Sequence, residues 1–178
     1  MQAGKDVGAE VWTEEVCPQL LAGEPGTEAA VEARLDVRLC IPTTLGTGAV
    51  ADEWVDVTVT HPWKAATRHK AATEPGTAAR QAAERKAKRY GPGSGGVRVR
   101  PFAVETWGRL GPEASELLQV LSAAWAAKVH AHPRRLAQQV VRWKENIGAA
   151  VVRAMASTVA HAGARPALHF AQSCCRQP

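Results

Sequence analysis

Long apolar runs are missing from this chain: no stretch approaches the roughly 18 residues that a membrane-spanning helix needs. The first residues, Met1-Gln2-Ala3-Gly4-Lys5-Asp6, lack the apolar stretch of a secretory signal. These absences predict an intracellular protein with no membrane partner. Cysteine is sparse as well, four residues in 178, too few and too scattered for a disulfide framework. Cys17 and Cys40 stand alone in element-like segments, as small buried hydrophobes do. Cys174 and Cys175 are too close together for half of a usual zinc pattern, and His61, His69, His130, His132, His161 and His169 have no spacing that completes one. No zinc is expected, and no internal repeat is found.

What is present suffices for an ordinary core. Hydrophobic residues make up 46% and charged residues 22%, which excludes disordered and collagen-like classes. A chain of 178 residues favours one domain over two and can bury a core unaided. The net charge of +5 conceals a division along the chain. Residues 1–60 hold 3 basic and 11 acidic side chains, whereas residues 61–178 hold 19 and 6. Such asymmetry points to a nucleic-acid or membrane partner; solvated helix faces in the basic half account for it equally well.

The segment Ala9–Ala22 reads as a helix interrupted at Pro18, with Val11, Trp12, Val16 and Leu20 on roughly one side. Gly23-Glu24-Pro25-Gly26 breaks it, and a short helical piece from Thr27 follows. Over Glu32–Ile41, Leu35, Val37, Leu39 and Ile41 alternate with Arg34, Asp36 and Arg38, the period of a half-buried strand. A Thr/Gly loop, Pro42–Ala51, leads to a second alternating run, Trp54–Thr60, which His61-Pro62 closes. A connection this short predicts antiparallel pairing. Asp36 and Asp56 then share the polar face.

After a basic, small-residue stretch from Trp63 to Thr73, Thr77 can cap a helix that runs to Tyr90. A Gly/Ser loop and a third strand, Val97–Thr106, come next, with Pro101 marking an edge or a bulge. Pro112 can open a helix to His130, and a further helix runs from Arg134 to about Ala162. The expected organisation is an α/β core over 1–110, a helical extension packed on it over 111–165, and an unstructured tail over 166–178.

At 100° per residue, Ala79, Ala82, Ala83, Lys86 and Tyr90 fall in one stripe of the Thr77–Tyr90 helix. Lys86 is therefore the basic residue of that helix that faces the sheet. Either its head snorkels to solvent or it meets the carboxylate pair. Two strand carboxylates and a lysine are the minimal set for metal-dependent phosphodiester cleavage: the acids hold Mg²⁺, and the ammonium orients the nucleophile or stabilises charge on phosphorus.

These residues also carry a resemblance. Ala33-Arg34-Leu35-Asp36, Trp54–Pro62, Lys86-Ala87-Lys88-Arg89-Tyr90 and Pro101–Gly108 resemble the restriction-like endonuclease region that follows the reverse transcriptase in certain non-long-terminal-repeat retrotransposons. That region is a member of the PD-(D/E)xK nuclease superfamily. The resemblance covers about Glu32 to Pro112 and implies a restriction-endonuclease-like fold, in which a small mixed sheet is flanked by helices. It also implies a Mg²⁺-dependent DNA endonuclease that nicks an integration target. By it, Asp36 matches the acid of the PD element, with Leu35 where proline often stands, and Asp56 matches the second acid. Thr58 stands where lysine usually follows, and Lys86 supplies the lysine from the next helix.

Thr58, Tyr90 and Glu105 are candidates to support the site; Glu105 could equally just end an edge strand. The implied partner is DNA or an RNA/DNA hybrid, within a longer reverse-transcriptase polyprotein, although neither a reverse transcriptase nor a Cys/His knuckle is present in this chain. The alternative is an inactive nucleic-acid-binding relic of the same fold. Arg85-Lys86-Ala87-Lys88-Arg89 also has the form of a nuclear localisation patch. Arg134, Arg135, Arg142 and Lys144 could follow a phosphate backbone or simply be solvated.

Overall fold

The computed structural model describes residues 2–22, 31–42, 50–90 and 97–174. The elements are α1 (Gln2–Val7), β1 (Glu10–Ala22), β2 (Val31–Pro42), β3 (Val50–Thr60), α2 (Arg68–Thr73), α3 (Thr77–Tyr90), β4 (Val99–Glu105), α4 (Pro112–Val129) and α5 (Pro133–Cys174). The strands form one sheet in the order β1-β2-β3-β4. The first three are antiparallel and β4 runs parallel to β3. A parallel neighbour needs a crossover rather than a hairpin, and α2 with α3 supplies it. The architecture is mixed α/β, a small mixed sheet flanked by helices.

The alternation in β2 sets the main core. Val37 lies opposite Val55, so same-parity residues of the two strands share a face. Val37, Leu39, Ile41 and Val55 pack there with Leu117, Leu118 and Leu121 of α4 and Trp143 of α5. Asp6 fastens α1 to this layer: its Oδ2 accepts the Trp143 indole N–H at 2.8 Å and the Gln139 amide at 3.0 Å. On the other face Ala79, Ala82 and Ala83 of α3 lie against Ala103, small side chains that let the helix sit close to the strands. Beyond them Cys17, Leu35, Trp54 and Tyr90 form a second cluster. Trp12, Arg38 and Trp54 make one cross-strand row, with the guanidinium 5.3 and 4.8 Å from the two indole rings.

Arg100 of β4 is buried between carboxylates. Its Nε and Nη2 each donate to Glu53 of β3 at 3.0 Å, and Nη1 donates to Glu116 of α4 at 3.3 Å. The fork geometry matches a guanidinium to a carboxylate by two parallel bonds.

Several expectations need correction. Ala9–Ala22 is not a helix: Glu10–Ala22 is an edge strand, in register with β2 from Glu10↔Cys40 onward. Val11, Trp12 and Val16 suit a strand as readily as a helix, and the unpaired edge of β2 decides between them. Pro18 falls where the β1 register shifts, between Cys17 and Leu21, as proline does at a bulge. The third strand is shorter than Val97–Thr106, although Pro101 does lie on an edge. Thr77 does not cap α3: its hydroxyl donates back to the Glu74 carbonyl at 2.8 Å. The Trp63–Thr73 stretch contains α2. α5 continues to Cys174, through most of the expected tail, with Gly163 and Pro166 inside it. The helical piece from Thr27, most of the loop before Val50 and the Gly/Ser loop after Tyr90 lie outside the described residues.

Candidate active site

The ladder opens around Asp36. On the β3 side the pairs end at Val37↔Val55, one step before Asp36 and Asp56 would face each other. On the β1 side Glu14, between the pairs Thr13↔Val37 and Glu15↔Leu35, adopts a left-handed backbone with φ 57°. For a non-glycine residue this is a strained conformation, of the kind that collects at functional sites. With no ladder bond there, the Asp36 carboxylate itself accepts the Val57 backbone N–H at 2.6 Å.

The antiparallel register brings the two acids together. Partial burial, and after it the neighbouring acid Asp56, holds Asp36 above the usual carboxylate range. The Val57 amide and Lys86 act in the opposite direction without cancelling the rise. Asp36 sits at the solvent rim, whereas Asp56 is only 5% exposed. The polar face is therefore covered at Asp56, by α3.

α3 delivers two donors to Asp56 Oδ2: Lys86 Nζ at 2.7 Å and the Tyr90 hydroxyl at 2.6 Å. They are four residues apart and so lie on one helix face. Burial, then the bond to Asp56, pushes the Tyr90 phenol well above its usual range, so it remains a donor. Lys86 does not snorkel freely; it is ion-paired. Arg85, Lys88 and Arg89 are exposed around it, and the basic cluster is interrupted at its second member.

Glu105, 4% exposed, does not touch the carboxylate pair. Its Oε1 accepts the Ala79 backbone N–H at 3.4 Å, and its Oε2 lies 3.8 Å from Arg109 Nε. A carboxylate on a first-turn amide satisfies an orphan donor and favours the helix dipole, so Glu105 pins the start of α3 to the end of β4. Thr58 shares the parity of Asp56 but bonds neither acid. Arg134, Arg135, Arg142 and Lys144 are exposed on α5, which packs on the sheet face away from Asp56, and they do not converge on the acids. A cavity of about 680 Å³ also lies on that other face, lined by Val55, Val57, Leu121, Trp143 and Ile147 among others, and holds neither acid.

Among the described residues no three or more His, Cys, Asp or Glu side chains gather as a metal-binding group. The donor set at Asp36 and Asp56 is a pair. Mg²⁺ is served by one or two carboxylates, with water and substrate phosphate completing its shell. Two neighbouring carboxyls on adjacent strands offer such an ion its protein oxygens, so these residues fit a hard divalent ion. Tyr90, a candidate supporting residue, bonds Asp56 directly, and that bond follows from the close approach that Ala79, Ala82 and Ala83 permit. No helix among the described residues is long and apolar enough to cross a membrane. No family model, curated protein or solved structure matches this chain.

Proposed function

We propose that this chain is a Mg²⁺-dependent DNA endonuclease of the restriction-endonuclease-like class, of the kind carried in retrotransposon reverse-transcriptase polyproteins. The observation that carries the reading is the buried Asp56 carboxylate held by Lys86 Nζ at 2.7 Å, with Asp36 beside it on the next strand in the β2–β3 register. Support comes also from the three-strand meander with a parallel fourth strand, which sets acids from β2 and β3 against a lysine from the crossover helix.

Asp36 and Asp56 would hold the ion, which supplies polarisation of a phosphoryl oxygen and a more acidic water. Lys86, ion-paired to Asp56 at 2.7 Å, stands ready to stabilise negative charge on the phosphate. Tyr90 fixes the Asp56 carboxylate by its second bond, so the acid does not have to reorient. Glu105 acts at a distance by seating α3, which makes it a positioning residue. Arg134, Arg135, Arg142 and Lys144 are left for backbone contacts away from the acids.

Nicking of supercoiled plasmid tests the proposal. Conversion to open circles with Mg²⁺, abolished by EDTA, is the expected result. DNA binding with no nicking at any Mg²⁺ concentration overturns it in favour of an inactive binding relic.

A further inference from the structure

Two tryptophans stand unusually far out of the surface at one end of the sheet. Trp63 is 68% exposed and Trp107 63%, although tryptophan is mostly buried in folded proteins. They are neighbours, with ring centroids 5.4 Å apart, and His61 lies 6.1 Å from Trp63 and 5.6 Å from Trp107. The interplanar angles are 61°, 65° and 84°. Rings that meet edge to face leave flat faces uncovered, so the cluster does not exhaust its own stacking capacity.

The patch is held in place before any partner arrives. β3 and β4 are parallel and end side by side at Thr60↔Glu105, and each hands the chain to a tight turn that carries one tryptophan. In the first turn the Trp63 N–H donates to His61 Nδ1 at 3.1 Å, and the Thr67 hydroxyl donates to the Pro62 carbonyl at 3.0 Å. In the second, the Gly108 N–H donates to the Glu105 carbonyl at 2.8 Å, with Gly108 at φ +81°. The Thr106 N–H bonds the Thr60 carbonyl at 3.0 Å and ties the turns together. Little ordering remains to oppose binding.

Charge selects the partner. Lys64 and Arg68 are exposed beside the patch and have no acidic partner among the described residues. Exposed aromatic faces bordered by unpaired cations are the combination that holds unpaired nucleobases and their phosphates. From Thr60 back to Asp56 is four strand residues, roughly 13 Å at about 3.3 Å each, or about four base steps of 3.4 Å. One strand could span both places.

We propose that Trp63 and Trp107, with His61 between them, form a stacking platform for the bases of single-stranded DNA. The inference rests on nucleic acid as the partner proposed above, not on the hydrolytic chemistry.

The test uses the full chain and a fluorescent twelve-residue oligo(dT), with an abasic oligonucleotide of the same length and charge as control. Trp63→Ala and Trp107→Ala should each weaken oligo(dT) binding by roughly 5- to 100-fold, the scale of one base stacked on an aromatic side chain. Trp63→Phe and Trp107→Phe should retain most of the affinity, and both side chains are exposed enough that unfolding is not expected. The abasic strand should bind weakly and be indifferent to all four substitutions. The tryptophan-dependent part should persist as salt rises, while the share due to Lys64 and Arg68 declines.

Equal oligo(dT) affinity in wild type and both alanine variants overturns the platform, and so does wild-type preference for the abasic strand. Absence of any oligo(dT) binding also overturns it and marks the patch as a protein contact. Plasmid nicking in the same preparations separates the two proposals. Mg²⁺-dependent nicking with tryptophan-independent binding removes only the platform. Tryptophan-dependent binding without nicking supports the platform and removes the nuclease.

Discussion

Arg100 and Asp56 are both buried in the sheet, 7% and 5% exposed, on adjacent strands. Each belongs to a cluster of one cation and two carboxylates. Around Arg100 the charges are interleaved: the guanidinium stands between Glu53 and Glu116, and the surplus carboxylate, Glu116, is 60% exposed to water. Around Asp56 the order is different. The two acids are neighbours on adjacent strands, and Lys86 pairs with Asp56 from one side. The first arrangement is closed and needs nothing further. The second sets two acids side by side at a ladder gap, with only one cation to offset them. The same inventory of charge is a closed fastening in one place and, in the function proposed above, an open binding site in the other.

That contrast breaks most visibly at Asp56. Asp56→Asn should lower plasmid nicking by at least about 10³-fold, since metal-assisted chemistry supplies several kcal/mol at about 1.4 kcal/mol per tenfold. Asn keeps an acceptor for Tyr90, so circular dichroism should show a folded protein. Nicking at the wild-type rate would remove the carboxylate pair from the mechanism.

Arg100→Met should show the converse. Removing one partner of a buried pair costs about 3–5 kcal/mol, read as a lower urea midpoint, while nicking per folded molecule stays unchanged. Arg100→Met combined with Glu53→Leu should recover much of that loss, because paired apolar replacements are often neutral or stabilising. If Arg100→Met instead abolished nicking in fully folded protein, the two clusters would not be functionally distinct.

Lys86→Met sharpens the comparison within the second cluster. Met keeps a stem of similar helix propensity, so folding should hold, while nicking falls by roughly 10²-fold, the scale for one charge-stabilising donor. Lys88→Met, on the exposed side of α3, should leave the rate nearly intact. Equal losses would show that the basic helix, not the ion pair, was being measured.

The smallest effect is on pH dependence. Asp36 has a folded pKa raised above its ordinary value, so its ionisation opposes folding. Its contribution to stability is fully present below the unfolded value, roughly pH 4, and is lost as pH rises through the raised folded value. In EDTA, wild type should therefore lose stability over that interval. Asp36→Asn should lack this component and melt at the same or a higher temperature at neutral pH, while nicking is lost. Parallel thermal-melting profiles for the two proteins would show that burial and Asp56 do not raise the Asp36 carboxyl.

Much of this site could be read from the chain. The period-2 runs around Asp36 and Asp56 put both acids on one polar face of an antiparallel pair, and the observed register, with Val37 opposite Val55, brings them together. The 100° stripe of α3 likewise placed Lys86 and Tyr90 toward the sheet. β1 was not legible, because Val11, Trp12 and Val16 satisfy either period and a strand at the edge is decided by its neighbour. The role of Glu105 depends on where the first turn of α3 lands, a tertiary fact. Nor did any local pattern reveal that Trp63 and Trp107 meet: 44 positions separate them, and the parallel pairing of β3 and β4 brings their turns together.

The Asp6 bonds to Gln139 and Trp143 span 133 and 137 positions, and this has a consequence for how the chain matures. At about 5–20 residues per second of synthesis, Asp6 waits on the order of 10 s for its indole partner to be made. In that interval Val7 and the strand face behind it have neither α4 nor α5 to cover them. A nascent chain would therefore display an apolar sheet surface until its helices emerge, the condition under which holdase chaperones engage. Closure of the Asp6 contact would mark the end of that exposed period, and a ribosome stalled before Trp143 would hold the protein in it.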